Sequence, residues 1–268
     1  MPATSAKSRL AQSLPSSLAV EFDGEIAILK LARPDKRNAL NNEIVRGLEN
    51  FFIDLPSDVK AVVLHGEGEH FSAGLDLSSL TETDFTEGYH HSRGWHYAFE
   101  RIEFGRAPVV SVLHGAVVGG GLELACATHI RVAEKSAYYA LPEGSRGIYV
   151  GGGGSVRIPR LIGTAKMMDM MLTGRIFGAD DGQQMGISNY LVESGEGLAK
   201  GIALAKRIAE NAPLTNFAIT NVLPRIAEFD TAGGYVVESI ISSVASSDEE
   251  AKKRLRDFLE KRGPKVVR

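Results

Sequence analysis

The chain has 268 residues, 44% of them hydrophobic and 24% charged, enough apolar material for one large core or two modest ones. Its formal net charge of −3 gives no support to nucleic-acid binding driven by overall charge. A single cysteine, Cys126, excludes an internal disulfide framework and any multi-cysteine metal site, and suits a reducing compartment.

Residues 1–19 lack acids, carry only Lys7 and Arg9 as bases and have no apolar signal-peptide core; they are expected to be a loosely docked tail, with the cytoplasm as the default location. Glu25 to Ala32 alternates as a strand does, and "RPDKRNAL" makes a turn into a helix from about Asn41 to Asp54. Val59 to Leu64 is a buried strand, Ser72 to Leu80 a glycine-broken loop, and Tyr89 to Phe104 a helix. Pro108 to Leu113 is another buried strand, followed by a helix from Gly120 to Ala127 and strands at Ile130 to Ala133 and Tyr138 to Leu141. The longest apolar run, Pro108 to Ala127, is interrupted by His114 and Glu123, so no membrane span is expected. From Thr164 onward apolar residues recur mostly at helical spacing, over 164–173, 179–185, 197–210, 214–228, 231–246 and 248–261. The pattern predicts an α/β protein: parallel strand–helix–strand units across 20–195 and a helical region across 196–268.

Glu123 stands out, because it follows Gly119-Gly120-Gly121 and is flanked by Leu122, Leu124, Ala125 and Cys126. A buried carboxylate without partners is costly or stays protonated. The glycines fall where a strand ends and a helix begins, and N–H groups at a helix start are unpaired and partly positive. Neither a GxGxxG fingerprint nor a GxxxxGK[ST] run is present, so phosphate cradling is not the evident use. Two such N–H groups can instead polarise a thioester carbonyl and stabilise the enolate that develops on it. A second donor could come from "FSAGLDL", residues 71–77, another small-residue loop that follows a strand. Twenty positions beyond Glu123, Glu143 is held on a turn between Pro142 and Gly144. One ionised and one protonated carboxylate at the same site would form an acid–base pair for adding or removing water.

Together "FSAGLDL", "HGAVVGGGLELACATHIRVA", "YYALPEGSRGIYVGGGGSVRIPRLIG" and "MMLTGRIFGADDGQQMGISNYLV" resemble the crotonase superfamily, specifically its enoyl-CoA hydratase branch, from about Glu21 to Arg262. The resemblance implies a crotonase-like core of repeated ββα units, a C-terminal helical trimerisation region, and assembly as a homotrimer or homohexamer. It implies an oxyanion hole from the backbone N–H groups of Ala73 and Gly120. Glu123 corresponds to the general base on the attacking water, and Glu143 to the group that protonates the α-carbon. Substrate contacts are implied at Arg37, Ala39, Ser72, Asp76, Leu77 and Gly151, and Phe258 corresponds to an aromatic that closes over the CoA of a neighbouring subunit. Coenzyme A enters as part of the substrate, and no metal or redox cofactor is required. The chain departs from the common pattern at Ser145-Arg146 and in the run Gly151 to Gly154, where it resembles a subgroup that includes methylthioacryloyl-CoA hydratases.

Other constellations point less far. His90, His91 and His96 cluster, but no acid or cysteine lies at a ligand spacing around them, and solvated helix positions are expected. Of the nearby aromatics most are expected in the core, with one or two lining a pocket; Tyr139 is a further pocket candidate. His114 is expected to be a buried histidine with a satisfied ring. Ser145 in "EGSRG" does not complete GxSxG. The basic end "KKRLRDFLEKRGPKVVR" reads as an amphipathic helix with a solvated face. The expected activity is addition of water to an α,β-unsaturated acyl-CoA. The alternatives are a hydratase that also hydrolyses its thioester, an isomerase, and a catalytically silent RNA-binding or scaffold protein.

Overall fold

The computed structural model describes residues 5–79, 82 and 84–260. A six-stranded sheet carries the architecture. β1 (Leu18–Asp23) and β2 (Ile26–Leu31) form an antiparallel hairpin around Gly24-Glu25, with Gly24 at φ +59° as a tight two-residue turn requires. From β2 onward every pairing is parallel: β3 (Ala61–Gly66), β4 (Val109–Leu113), then β6 (Ile130–Glu134) and β9 (Tyr190–Val192). A second, three-stranded sheet joins β5 (Ala116–Val118), β7 (Tyr138–Ala140) and β8 (Phe177–Gly178). The strands β3 and β4 are almost wholly buried, which fits their unbroken β-branched runs, since a parallel sheet is covered on both faces.

The connecting helices supply those covers. Ser5 caps α1 (Ala6–Ser13), whose Leu10 is buried, and Lys7 bonds the Gly24 carbonyl and pairs with Asp58. The expected loose tail is therefore a docked helix from residue 6 onward; its serine cap and one anchoring leucine were too short a signal to read as a helix. Residues 1–4 lie outside the described residues. α2 (Asn42–Ile53), capped by the Asn41 side chain, and α3 (Phe85–Glu103), capped by Asp84, pack together on one face of the large sheet. The other face is covered by α8 (Gly197–Ala209), whose Ala205 and Ala209 meet Val63, Val110 and Val112. Residues 197–209, grouped by sequence with the C-terminal helices, thus build a second, smaller core on the other face of the large sheet.

Four short helices sit near the small sheet: α4 (Gly120–Cys126), α5 (Gly154–Ile162), α6 (Thr164–Thr173) and α7 (Ala179–Met185). α5 is absent from the sequence reading, because a glycine run precedes it and Pro159 lies inside it. The helix expected over 214–228 is two, α9 (Pro213–Asn221) and α10 (Leu223–Ile226), since Pro224 has no N–H to continue the first. α11 (Thr231–Ser247) and α12 (Glu249–Leu259) follow, and both leave large apolar side chains exposed, among them Tyr235, Val236, Ile240, Leu255 and Phe258. The basic residues beyond Glu260, like Leu80 of the expected loop, lie outside the described residues. No helix among the described residues is long and apolar enough to cross a membrane.

The packing of α8 makes a direct prediction. A Cβ at Gly201 would stand 2.7 Å from Cγ2 of Val112, far inside van der Waals contact. Gly201→Val is expected to destabilise the fold by about 1–3 kcal/mol through overpacking. The urea unfolding midpoint measures it.

Candidate active site

The site is built at the start of α4. β5 ends at Val118, and Gly119 turns the chain with φ +51°, its N–H donating to the carbonyl of Ala140 at the end of β7. Only glycine enters this conformation freely, and a Cβ there would also stand 2.6 Å from Oε1 of Glu143. Gly120 opens the helix, so its own N–H has no acceptor within it. One turn on, Glu123 projects from the same helix and is 3% exposed, which confirms the burial expected from its neighbours.

The backbone of a distant loop partners this carboxylate. Oε1 of Glu123 accepts from the N–H of Gly152 at 2.8 Å and of Gly154 at 2.7 Å. These donors partly offset the cost of burial, which still pushes the Glu123 pKa above the usual carboxylate range. The glycines are required by space as well as by hydrogen bonding. A Cβ on Gly154 would stand 2.8 Å from Oε1 of Glu123, and one on Gly152 would stand 3.2 Å from Oε2. The glycine run that set this sequence apart is thus the cradle of its buried acid.

Glu143 has a different environment. It sits on the turn after β7, and its Oε2 is buried with no hydrogen-bond partner. Burial, with the Glu123 charge adding to it, pushes its pKa up to about 7. Both carboxylates line one cavity of about 340 Å³, together with Leu75, Gly120, Trp95, Ser92, Tyr149 and Gly152 among others. That volume falls at the small end of the range for ligand pockets.

The 71–77 loop corrects one expectation. The N–H of Ala73 donates to the carbonyl of Arg37 at 2.9 Å and is not free for an oxyanion. The neighbour two residues on is placed differently. Leu40 pairs in parallel with Leu75, donating to Gly74 O and accepting from Asp76 N, so Leu75's own N–H faces the opposite way. It has no acceptor among the described residues, lines the cavity, and lies 3.5 Å from where a Cβ on Gly120 would be. The free pair of amides is therefore Leu75 and Gly120. What separates the two amides is their partners: the Arg37 carbonyl takes up Ala73's, while the bridge to Leu40 leaves Leu75's pointing away from it.

The other expected contacts divide. Gly151 lines the cavity. Ser72 is fully buried, donating to Asn38 O and accepting from Gly74 N, so it shapes the loop without facing the cavity. Asp76 bonds Arg33 and Ser78, and these hold its pKa below the usual range; its carboxylate braces the loop. The Ala39 carbonyl accepts from the Arg33 guanidinium. Arg37, at φ +50°, Leu77 and Phe258 are exposed. Tyr139 is a correction: it is wholly buried, its ring packed on Gly182, because its alternate position on β7 points into the core.

Trp95 reaches the cavity from α3, with the six-membered edge of its ring against Gly120 and Gly152. His91 stacks obliquely beside it, and His96 lies 3.5 Å from the Ser92 hydroxyl. Among the described residues no group of three or more histidines, cysteines or acids could hold a metal ion. The Ser145 hydroxyl donates to Pro142 O, and the His114 ring meets Gly68 O at 3.1 Å. Leu75, Ser92 and Arg157, which borders the glycine cradle, carried no sequence signal for their places.

The chain is similar to known proteins over most of its length. Residues 21–267 match the enoyl-CoA hydratase/isomerase family. The chain is 33% identical over 254 residues to a probable enoyl-CoA hydratase of Bacillus subtilis, covering 93% of this chain and 98% of that protein. It is 30% identical over 250 residues to a short-chain-enoyl-CoA hydratase of Clostridium acetobutylicum, covering 92% and 96%. Its fold superposes with a TM-score of 0.90 on a crystal structure named as a candidate enoyl-CoA hydratase from Rhodopseudomonas palustris, at 57% identity and covering 92% and 96% of the two chains.

The raised pKa of Glu143 has a stability consequence whose sign is fixed. Folding penalises the ionised form, so the penalty is absent below the unfolded pKa near 4.5, grows as pH rises, and is complete above about 7. Glu143→Gln is expected to stabilise the protein more at pH 8 than at pH 5, by about 1–3 kcal/mol in urea unfolding at the two pH values.

Proposed function

Because the chain belongs to the enoyl-CoA hydratase/isomerase family, we infer that it is an enoyl-CoA hydratase, adding water across the α,β double bond of an acyl-CoA thioester. The observation that carries this reading is the meeting of two free amides and two unlike carboxylates at one cavity. The N–H groups of Leu75 and Gly120 hold the thioester oxygen and stabilise the negative charge that moves onto it as the double bond is attacked. Glu123, whose ionised form is met by backbone donors, takes a proton from water as the oxygen adds to the β-carbon. Glu143, one of whose oxygens has no partner and whose pKa burial pushes up to about 7, delivers a proton to the α-carbon.

Hydration starts with the proton on Glu143 and ends with one on Glu123; dehydration runs the other way. Both directions therefore need the pair to hold a single proton, and its apparent pKa values belong to the pair. An isomerase shifts one proton between carbons and has less use for two acids at the same wall, which favours hydration. The exposed apolar residues of α11 and α12 support assembly as a trimer or hexamer, with Phe258 meeting a neighbouring subunit's substrate. The cavity suits a short acyl group, and the glycine run keeps methylthioacryloyl-CoA among the candidate substrates.

The test uses purified protein with crotonyl-CoA and with methylthioacryloyl-CoA, products resolved by mass and free thiol followed by a thiol reagent. Gain of water without thiol release is the expected result; thiol release would assign the hydrolytic alternative. Glu123→Ala should lower kcat/KM about 10²–10⁴-fold, and a variant with unchanged turnover would overturn the mechanism. The wild-type kcat/KM is expected to fall above about pH 7, as Glu143 loses its proton, and to fall again in acid as Glu123 gains one.

A further inference from the structure

The N–H of Gly152 that meets Glu123 belongs to the peptide unit whose carbonyl is Gly151 O. In a trans peptide the C=O and N–H point opposite ways, so whatever holds the carbonyl also aims the amide. That carbonyl is held: the Ser92 hydroxyl, on α3, donates to it at 2.7 Å. The result is a chain of two hydrogen bonds through one peptide plane, from Ser92 Oγ to Gly151 O at 2.7 Å and from Gly152 N to Glu123 Oε1 at 2.8 Å. Hydrogen bonds in series polarise each other, which strengthens the second.

The other amide of the cradle is secured independently. The Gly154 N–H shares its peptide unit with Gly153 O, which accepts from the N–H groups of Val156 and Arg157 in the first turn of α5. Between them, the unit joining Gly152 and Gly153 is braced by the Arg157 guanidinium, which donates to Gly152 O at 3.0 Å and pairs with Glu103 at 2.6 Å. Without side chains of their own, the glycines have little else to keep these planes in place. Only the 151–152 plane depends on a side chain from another part of the chain that itself lines the cavity.

We propose that Ser92 is a positioning residue for Glu123, fixing the peptide plane between Gly151 and Gly152 so that its N–H stays aimed at the carboxylate. This rests on the reading of Glu123 as the general base. The hydroxyl touches neither the carboxylate nor the reacting atoms in this account; it acts through the loop. Loss of the clamp weakens a hydrogen bond that favours the ionised acid, so the acid becomes harder to ionise. The charged and titratable groups around Glu123 are Glu143, His91 and Tyr149 on the same cavity, Arg157 behind the loop and Cys126 one turn along α4. His96 stands behind Ser92. Ser92→Ala removes the 3.5 Å contact with His96, which Ser92→Thr keeps, and leaves the other groups in place.

The experiment compares wild type, Ser92→Ala and Ser92→Thr by the pH dependence of kcat and kcat/KM on crotonyl-CoA. Glu123 is titrated directly in the free enzyme by infrared spectroscopy, as the difference from Glu123→Gln. Alanine is the strongest helix former, so α3 is retained. Ser92→Ala is expected to move the acid limb of kcat/KM and the infrared titration upward together, by about 0.5–1 pH unit. It should lower kcat about 3–10-fold at neutral pH with KM little changed, and threonine, which keeps the hydroxyl, should restore both. An infrared titration unmoved in Ser92→Ala overturns the proposal, whatever the rate does. A moved titration with Glu123→Gln fully active upholds the clamp and overturns the assignment of Glu123 as base.

Discussion

A carboxylate that is 3% exposed has to be met by donors, and the arrangement that meets Glu123 organises everything around it. The donors are backbone amides of Gly152 and Gly154, which can come close only because neither residue has a side chain. The loop that offers them is tied to α3 by Ser92 and to α5 by its own first turn. α4 is tied to the same place from the other side, through Gly119 and the end of β7. Three helices and the small sheet are thereby held in register around one oxygen atom.

That same arrangement separates the two acids. Burial raises the pKa of both, but Glu123 has amides aimed at it and Glu143 has an oxygen with no partner. In the proposed mechanism the shared proton starts on Glu143: two amides and the Arg157 charge favour ionised Glu123, while one Glu143 oxygen has no partner. In the proposed hydration this is the starting distribution, water activated by one acid and a proton held ready on the other. The unpartnered oxygen costs folding energy, and an unsatisfied buried group of this kind is where a protein gives up stability for chemistry.

Much of this was legible along the chain. The buried strands β3 and β4 announced themselves by apolar, β-branched runs, α2 by the turn that leads into it, and the C-terminal helices by their spacing. Glu123 and Glu143 were visible because charge is rare in such apolar and turn-forming surroundings. Other site features were not. Ala73 and Leu75 lie two residues apart on one loop, and which amide is free depends on the bridge that Leu40 makes. Tyr139 and Asp76 carry the right chemistry for a pocket, yet core packing consumes one and Arg33 with Ser78 the other.

The amino-acid sequence by itself determined the family, the main strands and longer helices, and singled out the two acids, because these rest on residue type and spacing. Only the tertiary structure decided how the acids are paired, which amides are free and what holds the glycine loop. The partners concerned are 29 and 31 residues apart for Glu123, and 59 for Ser92 and Gly151. No local pattern specifies the direction of a peptide plane across such a span. It is set by where α3, α4 and α5 come to rest against one another, which is a property of the packed chain.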